Sequence, residues 1–176
     1  MPVEIRRAVP GDAATLHAVA AATFGLACPP GTAQESIDDF IATTLSEEKF
    51  DSYLADPERA LFLAEVDGVA AGYTMVIFGE PTDADVIAAI TLHPTAELSK
   101  VYVLPDHHGG GIARHLVEAS VAAVVERGAA GIWLGVNQLN PRANRFYEKS
   151  GFAKVGTKRF LLGGVYENDF VRERAL

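Results

Sequence analysis

The most informative segment of the sequence is Val101-Tyr102-Val103-Leu104-Pro105-Asp106-His107-His108-Gly109-Gly110-Gly111-Ile112-Ala113. Its β-branched and aromatic first half predicts a strand, which Pro105 ends, and its three consecutive glycines predict a tight turn. Apolar residues then recur at helical spacing from Ile112 to Ala123, which predicts a long helix that Gly128 terminates. A strand therefore runs through a glycine-rich turn directly into a helix.

This glycine-rich turn has the properties of a site for phosphate groups. The first backbone N–H groups of a helix have no helical partners, and the helix dipole adds roughly half a positive charge there. Glycine also lets the main chain approach a bulky anion closely. Two nucleotide motifs are excluded, because Arg114 stands where G-x-G-x-x-G from Gly109 requires its last glycine and no Gly-Lys-Ser/Thr occurs. From the residues alone, a phosphate site and a simple tight turn both stay open.

Strand and helix signals continue on both sides of this segment. Toward the N-terminus the patterns predict a strand at Val3–Arg7, a turn and helix cap at Pro10-Gly11-Asp12, and a helix with Leu16, Val19, Ala20 and Phe24 on one face. A second helical region is predicted from about Gln34 to Leu54, and Ser46 caps its second piece. A hairpin of Leu61–Val66 and Val69–Phe78 follows, with its turn at Asp67-Gly68. Between Gly79 and Pro94, the part Val86–Leu92 fits either a short helix or a strand.

The C-terminal half gives clearer signals. They predict a strand at Leu98–Leu104, a helix over Gly109–Arg127, a buried strand at Ile132–Val136, a helix that begins at Asn140-Pro141 and ends before Gly151, and strands at Phe152–Leu162 and Tyr166–Arg174. The order β, α, α, β, β, β, α, β, α, β, β predicts an α/β (α+β) fold, a mixed sheet with helices on both faces.

Composition bounds the function classes. A chain of 176 residues fits one domain, and its net charge of −8 argues against nucleic-acid binding. Cys28 is the only cysteine, which excludes an intramolecular disulfide and a cysteine-based zinc site. His107 and His108 are adjacent, so their side chains point apart, and we predict no metal site. The first residues lack the apolar core of a signal peptide, and no apolar run is long enough for a membrane span, so we expect a cytoplasmic protein.

Two motifs together resemble the GCN5-related N-acetyltransferase (GNAT) superfamily. Its members carry Gln/Arg-x-x-Gly-x-Gly/Ala after a strand ending in Val-x-Pro, and this chain has His108-Gly109-Gly110-Gly111-Ile112-Ala113 there. The chain also contains Val136-Asn137-x-x-Asn140-x-x-Ala143-x-x-Phe146-Tyr147-x-x-x-Gly151-Phe152, which is similar to the family's second motif. The ending Tyr166-x-x-Asp169-Phe170-x-x-Glu173 is similar to the branch that acetylates polyamines.

The resemblance implies a single N-acetyltransferase domain over residues 1–176, with a mostly antiparallel sheet of about seven strands whose central strands splay apart. It implies an acyltransferase that uses acetyl-coenzyme A as co-substrate and acetylates a primary amine of a small molecule, polyamine-like or amino-acid-like, or of a protein. A non-catalytic acyl-CoA-binding sensor and a nucleotide-binding module are the alternatives. The acceptor, the use of other acyl groups and the oligomeric state stay open, with a homodimer as one alternative.

The resemblance also implies the cofactor-binding residues, which are Val101, Val103, His108, Gly109, Gly110, Gly111, Ile112, Ala113, Asn137, Asn140 and Tyr147. His108 departs from the usual Gln or Arg, so we expect the phosphate contacts to come from the main chain. Asn140 has a competing role as helix cap. Tyr147 is implied as the general acid that protonates the leaving thiolate, and its alternative role is aromatic packing with Phe146.

The general base is left open by the sequence. Removing the proton of an amine at pH 7 costs about 4.6 kcal/mol when its pKa is near 10.4, so a base or a water chain is needed. Glu97 is the first candidate, because strand alternation predicts that positions 97, 99, 101 and 103 share one face. His93 and water are the other candidates, and a solvated acid at the strand end is the alternative for Glu97.

Overall fold

The computed structural model describes residues 2–176. Its N-terminal half consists of β1 (Val3–Arg7), α1 (Ala13–Ala27), α2 (Gln34–Thr44), α3 (Glu47–Ala55), β2 (Arg59–Val66), β3 (Val69–Phe78) and α4 (Ala84–Ala89). The C-terminal half consists of β4 (Thr95–Val103), a 3-10 turn (Pro105–His107), α5 (Ile112–Glu126), β5 (Gly131–Asn137), α6 (Pro141–Lys149), β6 (Ala153–Leu162) and β7 (Val165–Ala175). Within residues 2–176, no helix is both long and apolar enough to cross a membrane.

Seven strands form one sheet in the order β1-β2-β3-β4-β5-β7-β6. Neighbouring strands are antiparallel except β4 and β5, which are parallel. Helices α1 to α4 pack on one face, where Leu16, Phe50 and Tyr73 are fully buried. Helix α5 covers the other face through residues such as Val117 and Val124. The predicted fold, a mixed and mostly antiparallel sheet with helices on both faces, is confirmed.

Local sequence signals explain most element boundaries. Ser46 accepts the N–H of Lys49 at 3.2 Å and starts α3 as predicted. Asp67 and Gly68 adopt positive φ angles of 53° and 79°, as the predicted hairpin turn requires. The ambiguous segment before β4 is helical, with Asp83 as the cap of α4.

One predicted cap is wrong. Asp12 stands at the N-cap position of α1 but makes no side-chain bond to the helix. Its two carboxylate oxygens instead accept from Arg6, at 2.9 Å each, and one of them also accepts the N–H of Val9. Arg6 also donates to Glu65 on β2, so the arginine draws Asp12 away from the helix toward the sheet edge.

Strands β4 and β5 pair over only three residue pairs, Thr95 to Glu97 with Gly131 to Trp133. Beyond Glu97 they diverge, because β4 continues along β3 while β5 continues along β7. The predicted splay of the central strands is therefore confirmed, and it opens a gap in the middle of the sheet.

A β-bulge in β4 overturns one prediction. Met75 of β3 lies opposite Lys100 and Val76 lies opposite Leu98, so Ser99 has no partner and alternation shifts by one residue. Lys100 consequently shares the α1–α4 face with Glu97, whereas Val101 faces α5. Positions 97, 99, 101 and 103 do not share one face. Glu97 also lies inside the strand, since β4 begins at Thr95 and not at Leu98 as predicted.

Candidate functional site

The gap between β4 and β5 holds a cavity of about 700 Å³. Its lining comes from both faces of the sheet, so the cavity passes between the diverging strands. On the α5 and α6 face it is lined by Val101, Val103, the glycine-rich loop and Tyr147. On the α1–α4 face it is lined by Glu97, Lys100 and Asp169, among others. Two groups of residues with different chemistry therefore meet at one opening.

The exposed edge of β4 presents main-chain groups to this cavity. Leu104 donates its N–H to Ala71 of β3 at 2.8 Å, so by strand alternation Tyr102 also bonds β3. The N–H and C=O groups of Val101 and Val103 then point away from β3, toward β5. Because β5 has diverged at this level, these groups have no partner strand, as the family resemblance implied.

The glycine-rich loop presents a run of free donors. Within residues 2–176, none of the N–H groups from Gly109 to Arg114 donates a hydrogen bond. Helix α5 begins at Ile112, three residues later than predicted. Gly109 and Gly111 have φ angles of 84° and 80°, which are incompatible with a right-handed helix, so the helix does not extend to Gly109. The loop therefore gathers main-chain donors at the positive end of α5.

The His108 side chain links the loop to two other elements. Its Nε2 lies 2.8 Å from the C=O of Val103, and its Nδ1 lies 2.7 Å from Nη1 of Arg142 on α6. A carbonyl only accepts and a guanidinium only donates, so Nε2 carries the proton and Nδ1 accepts. His108 thus positions Arg142 at the loop, and a guanidinium lies beside the free N–H groups although position 108 itself is not arginine.

The start of α6 is fixed by asparagines. Asn140 accepts the N–H of Ala143 at 3.1 Å, so its role as helix cap is present in the structure. Asn137 accepts the N–H of Leu139 at 2.8 Å. Asn144 donates to the C=O groups of both Asn137 and Asn140 and accepts from Arg172, a buried side chain of β7. This network holds the β5–α6 turn at the cavity, whether or not Asn137 and Asn140 also contact a ligand.

Tyr147 lies on the inner face of α6 and lines the cavity. Its ring packs edge-on against Phe146 and Phe152, with centroids 5.2 and 6.0 Å away. Burial raises the pKa of the Tyr147 hydroxyl well above its ordinary range, so the phenol is protonated at neutral pH. Both predicted roles are compatible with this position, because the ring packs while the residue still borders the cavity.

Two charged side chains of β4 border the other half of the cavity. Burial raises the pKa of Glu97, and the charges of Lys100, Lys158 and Arg59 oppose that increase. Burial lowers the pKa of Lys100, and the charge of Glu97 opposes that decrease. Glu97 is the last residue of β4 that pairs with β5, so its carboxyl group stands where these two strands separate.

A second acid borders the cavity from β7. Burial raises the pKa of Asp169 to about 6, with the nearby charge of Glu167 adding to the effect and Lys158 opposing it. Lys158 Nζ lies 4.0 Å from Asp169 Oδ2. Both side chains lie over Gly135, where a β-carbon would come within 3.3 Å of each. The glycine in β5 therefore makes room for this ion pair beside the cavity.

The cavity lining includes every predicted site residue except Gly110, which lies between two lining glycines of the loop, and the rival base His93. His93 lies away from the cavity, half exposed, with its Nδ1 2.9 Å from Glu80. Sequence reasoning did not identify Lys100, Lys158, Asp169 or Arg142 as site residues. For Lys100 the one available signal was a lysine inside a strand, and only the bulge shows which face it takes.

A model described as the acetyltransferase (GNAT) family matches residues 27–152. An uncharacterized N-acetyltransferase of Mycobacterium tuberculosis (strain ATCC 25618 / H37Rv) is 48% identical over 165 residues, which cover 94% of this chain and 98% of that protein.

Solved structures share the fold. The PaiA N-acetyltransferase of Thermoplasma acidophilum, solved in complex with coenzyme A, matches with a TM-score of 0.79 and 21% identity over all of both chains. A variant of the SpeG spermidine N-acetyltransferase of Vibrio cholerae matches with a TM-score of 0.67 and 21% identity, over 98% of this chain and 93% of that one. At these identities the likeness concerns the fold alone.

Proposed function

This chain belongs to the acetyltransferase (GNAT) family, and we propose that it transfers the acetyl group of acetyl-coenzyme A to a primary amine. The family predicted from the two sequence motifs is confirmed, and with it the assignment as an acyltransferase of the N-acetyltransferase type. The donor, the acceptor class and the roles of individual residues are the proposal.

One observation carries the proposal. The free N–H groups of Gly109–Arg114 converge on the same cavity as the outward main-chain groups of Val101 and the N–H of Val103, whose C=O is already taken by His108. Pyrophosphate requires clustered donors, and an amide-containing pantetheine arm requires unpaired main-chain groups along a strand edge. The residues present fit both halves of coenzyme A, with Arg142 adding a cation at the phosphate end. The solved complex of the PaiA enzyme with coenzyme A supports the same choice of cofactor.

The reaction sets two proton tasks for the chain. Acetyl-coenzyme A supplies an acetyl group activated as a thioester. A nitrogen–carbon bond forms, the carbon–sulfur bond breaks, and the ammonium loses two protons, of which one ends on sulfur and one in solvent. Glu97 accepts a proton from the amine nitrogen, since it stands where β4 and β5 separate. Tyr147 donates a proton to the sulfur, since its hydroxyl stays protonated at neutral pH.

Thiol release with acetyl-coenzyme A and a panel of amines tests the proposed function. We expect turnover with the wild type, a loss of about 100-fold in kcat for Tyr147→Phe, and little change in the Kd for coenzyme A. Tyr166→Phe is the matched control, because Tyr166 is exposed and lies outside the cavity. Tight binding of coenzyme A without turnover on any amine would contradict the proposal and favour an acyl-CoA sensor.

Substitution in the glycine-rich loop tests where the phosphates bind. Gly111→Asp adds a side chain and a negative charge at the start of α5, so we expect the affinity for coenzyme A to fall by more than about tenfold. Gly128→Asp is the control, because Gly128 follows the same helix at its other end with a similar φ of 84°. Isothermal titration of both variants measures the difference. Equal affinities for the two variants would exclude this loop as the phosphate site.

The pH dependence of kcat/KM tests Glu97 as the base. A base must be ionised to accept a proton, so activity falls as pH drops through the pKa of Glu97, which burial raises above that of an ordinary carboxyl group. Glu97→Gln should lower kcat/KM by about 100-fold and remove this acidic limb. His93→Gln should keep both the rate and the limb. An acidic limb that persists in Glu97→Gln would assign the base elsewhere, with Asp169 the next group to test.

A further inference from the structure

We propose that the acceptor carries a carboxylate beside its amine, and that Lys100 binds this carboxylate while Glu97 receives the amine. The acceptor class is then a small amino-acid-like molecule and not a polyamine. This inference rests on the proposed function and names the substrate class of the same cavity.

The bulge in β4 is what places Lys100 in the cavity. Because Ser99 has no partner on β3, Glu97 and Lys100 lie on the same face of the strand although they are three positions apart. A regular strand would direct these two side chains to opposite faces. The bulge therefore places an acid and an ammonium group on the same face of β4, and both line the cavity.

The Lys100 ammonium has no partner of its own. Within residues 2–176 it forms no ion pair and no side-chain hydrogen bond, although the side chain is largely buried. A largely buried cation is normally paired, because leaving water without a counter-charge is costly. By contrast Lys158, the other lysine of this cavity, lies beside Asp169. Lys100 is thus the cation of the site that a ligand anion can pair with.

An aromatic pair lies near both ammonium groups. The rings of Phe40 and Phe160 meet edge-on with centroids 5.7 Å apart. Lys100 Nζ lies 5.9 Å from the ring of Phe40, and Lys158 Nζ lies 5.9 Å from the ring of Phe160. Both distances are within the range of cation–π attraction. The wall of the acceptor half therefore consists of two rings with a cation beside each.

The acceptor half presents charged groups of both signs. The acceptor half contains three carboxyl groups, Glu97, Glu167 and Asp169, together with Lys100 and Lys158. With the reacting amine at Glu97, a second ammonium group near Lys100 would be repelled, whereas a carboxylate there would be attracted. An acceptor with an amine and one carboxylate brings a positive group to Glu97 and a negative group to Lys100, so each end meets the opposite charge.

Matched pairs of substrates test the inference directly. Each pair is an amino acid and the amine left by its decarboxylation, such as lysine with cadaverine, ornithine with putrescine and phenylalanine with phenethylamine. The kcat/KM values are compared after correction for the fraction of each amine that is unprotonated. We expect the carboxylate-bearing member to be preferred by about tenfold or more, which corresponds to one hydrogen bond to a charged group.

Variants then assign the preference to one residue. Lys100→Gln should abolish the preference by raising KM for the carboxylate-bearing member, so that the ratio of the two kcat/KM values within each pair falls to about one. Lys100→Met, which replaces the side chain as far as Cε with an uncharged one, should behave in the same way. Lys154→Gln is the control, because Lys154 is exposed on β6, outside the cavity, and should keep the preference. Coenzyme A binding by each variant verifies that it is folded.

The outcomes separate this inference from the proposed function. Turnover on amines with no preference for the carboxylate, or with polyamines preferred, would overturn the inference and leave the proposed function standing. A preference that persists in both Lys100 variants would also overturn it. An absence of turnover on every amine would reject the proposed function itself, and the inference with it.

Discussion

The short parallel pairing between β4 and β5 is the constraint on which the site depends. Three residue pairs join these strands, and beyond them β4 follows β3 while β5 follows β7. The divergence leaves main-chain groups of Val101 and Val103 without a partner strand, which a closed sheet would not permit. It also opens a passage between the two faces of the sheet. Cofactor binding on the α5 and α6 face and acceptor binding on the α1–α4 face are therefore two consequences of one break in the hydrogen-bond ladder.

The bulge at Ser99 and the loop after β4 add chemistry to this opening. The bulge brings Glu97 and Lys100 to the acceptor half, where burial shifts the pKa values of both toward neutrality. The loop supplies free N–H groups at the start of α5, and His108 holds Arg142 beside them. A phosphate site of main-chain N–H groups with one guanidinium and an acceptor wall of acids and lysines thus lie along one strand and the loop that follows it. Such separation suits a reaction that joins an anionic cofactor to a charged amine.

The hairpin at Asp67-Gly68, the glycine loop and most of the element order could be predicted from the sequence because local signals specify them, whereas α4 is absent from the predicted order because its segment fits either a helix or a strand. The divergence of β4 and β5 was predicted from the resemblance to the GNAT superfamily, because no local pattern in either strand reveals it. The side that Lys100 takes could not be predicted, because a bulge depends on pairing with β3 and not on the residues of β4 alone. Asp12 failed as a predicted cap for a similar reason, since Arg6 offers it a stronger, charge-assisted partner across a turn. The face taken by Lys100 and the partner of Asp12 both depend on contacts between residues far apart or across a turn, which sequence periodicity does not reveal.

Amide hydrogen exchange of β4, measured by NMR with and without coenzyme A, tests the central claim that this strand edge receives the cofactor. The account predicts that exchange at Val101 and Val103 slows by about tenfold or more when coenzyme A is added, because their N–H groups gain acceptors. Exchange at Tyr102, whose main chain faces β3, should stay nearly constant and serves as an internal reference. If coenzyme A binds and the exchange rates of Val101 and Val103 do not change, the cofactor lies elsewhere and the account is contradicted.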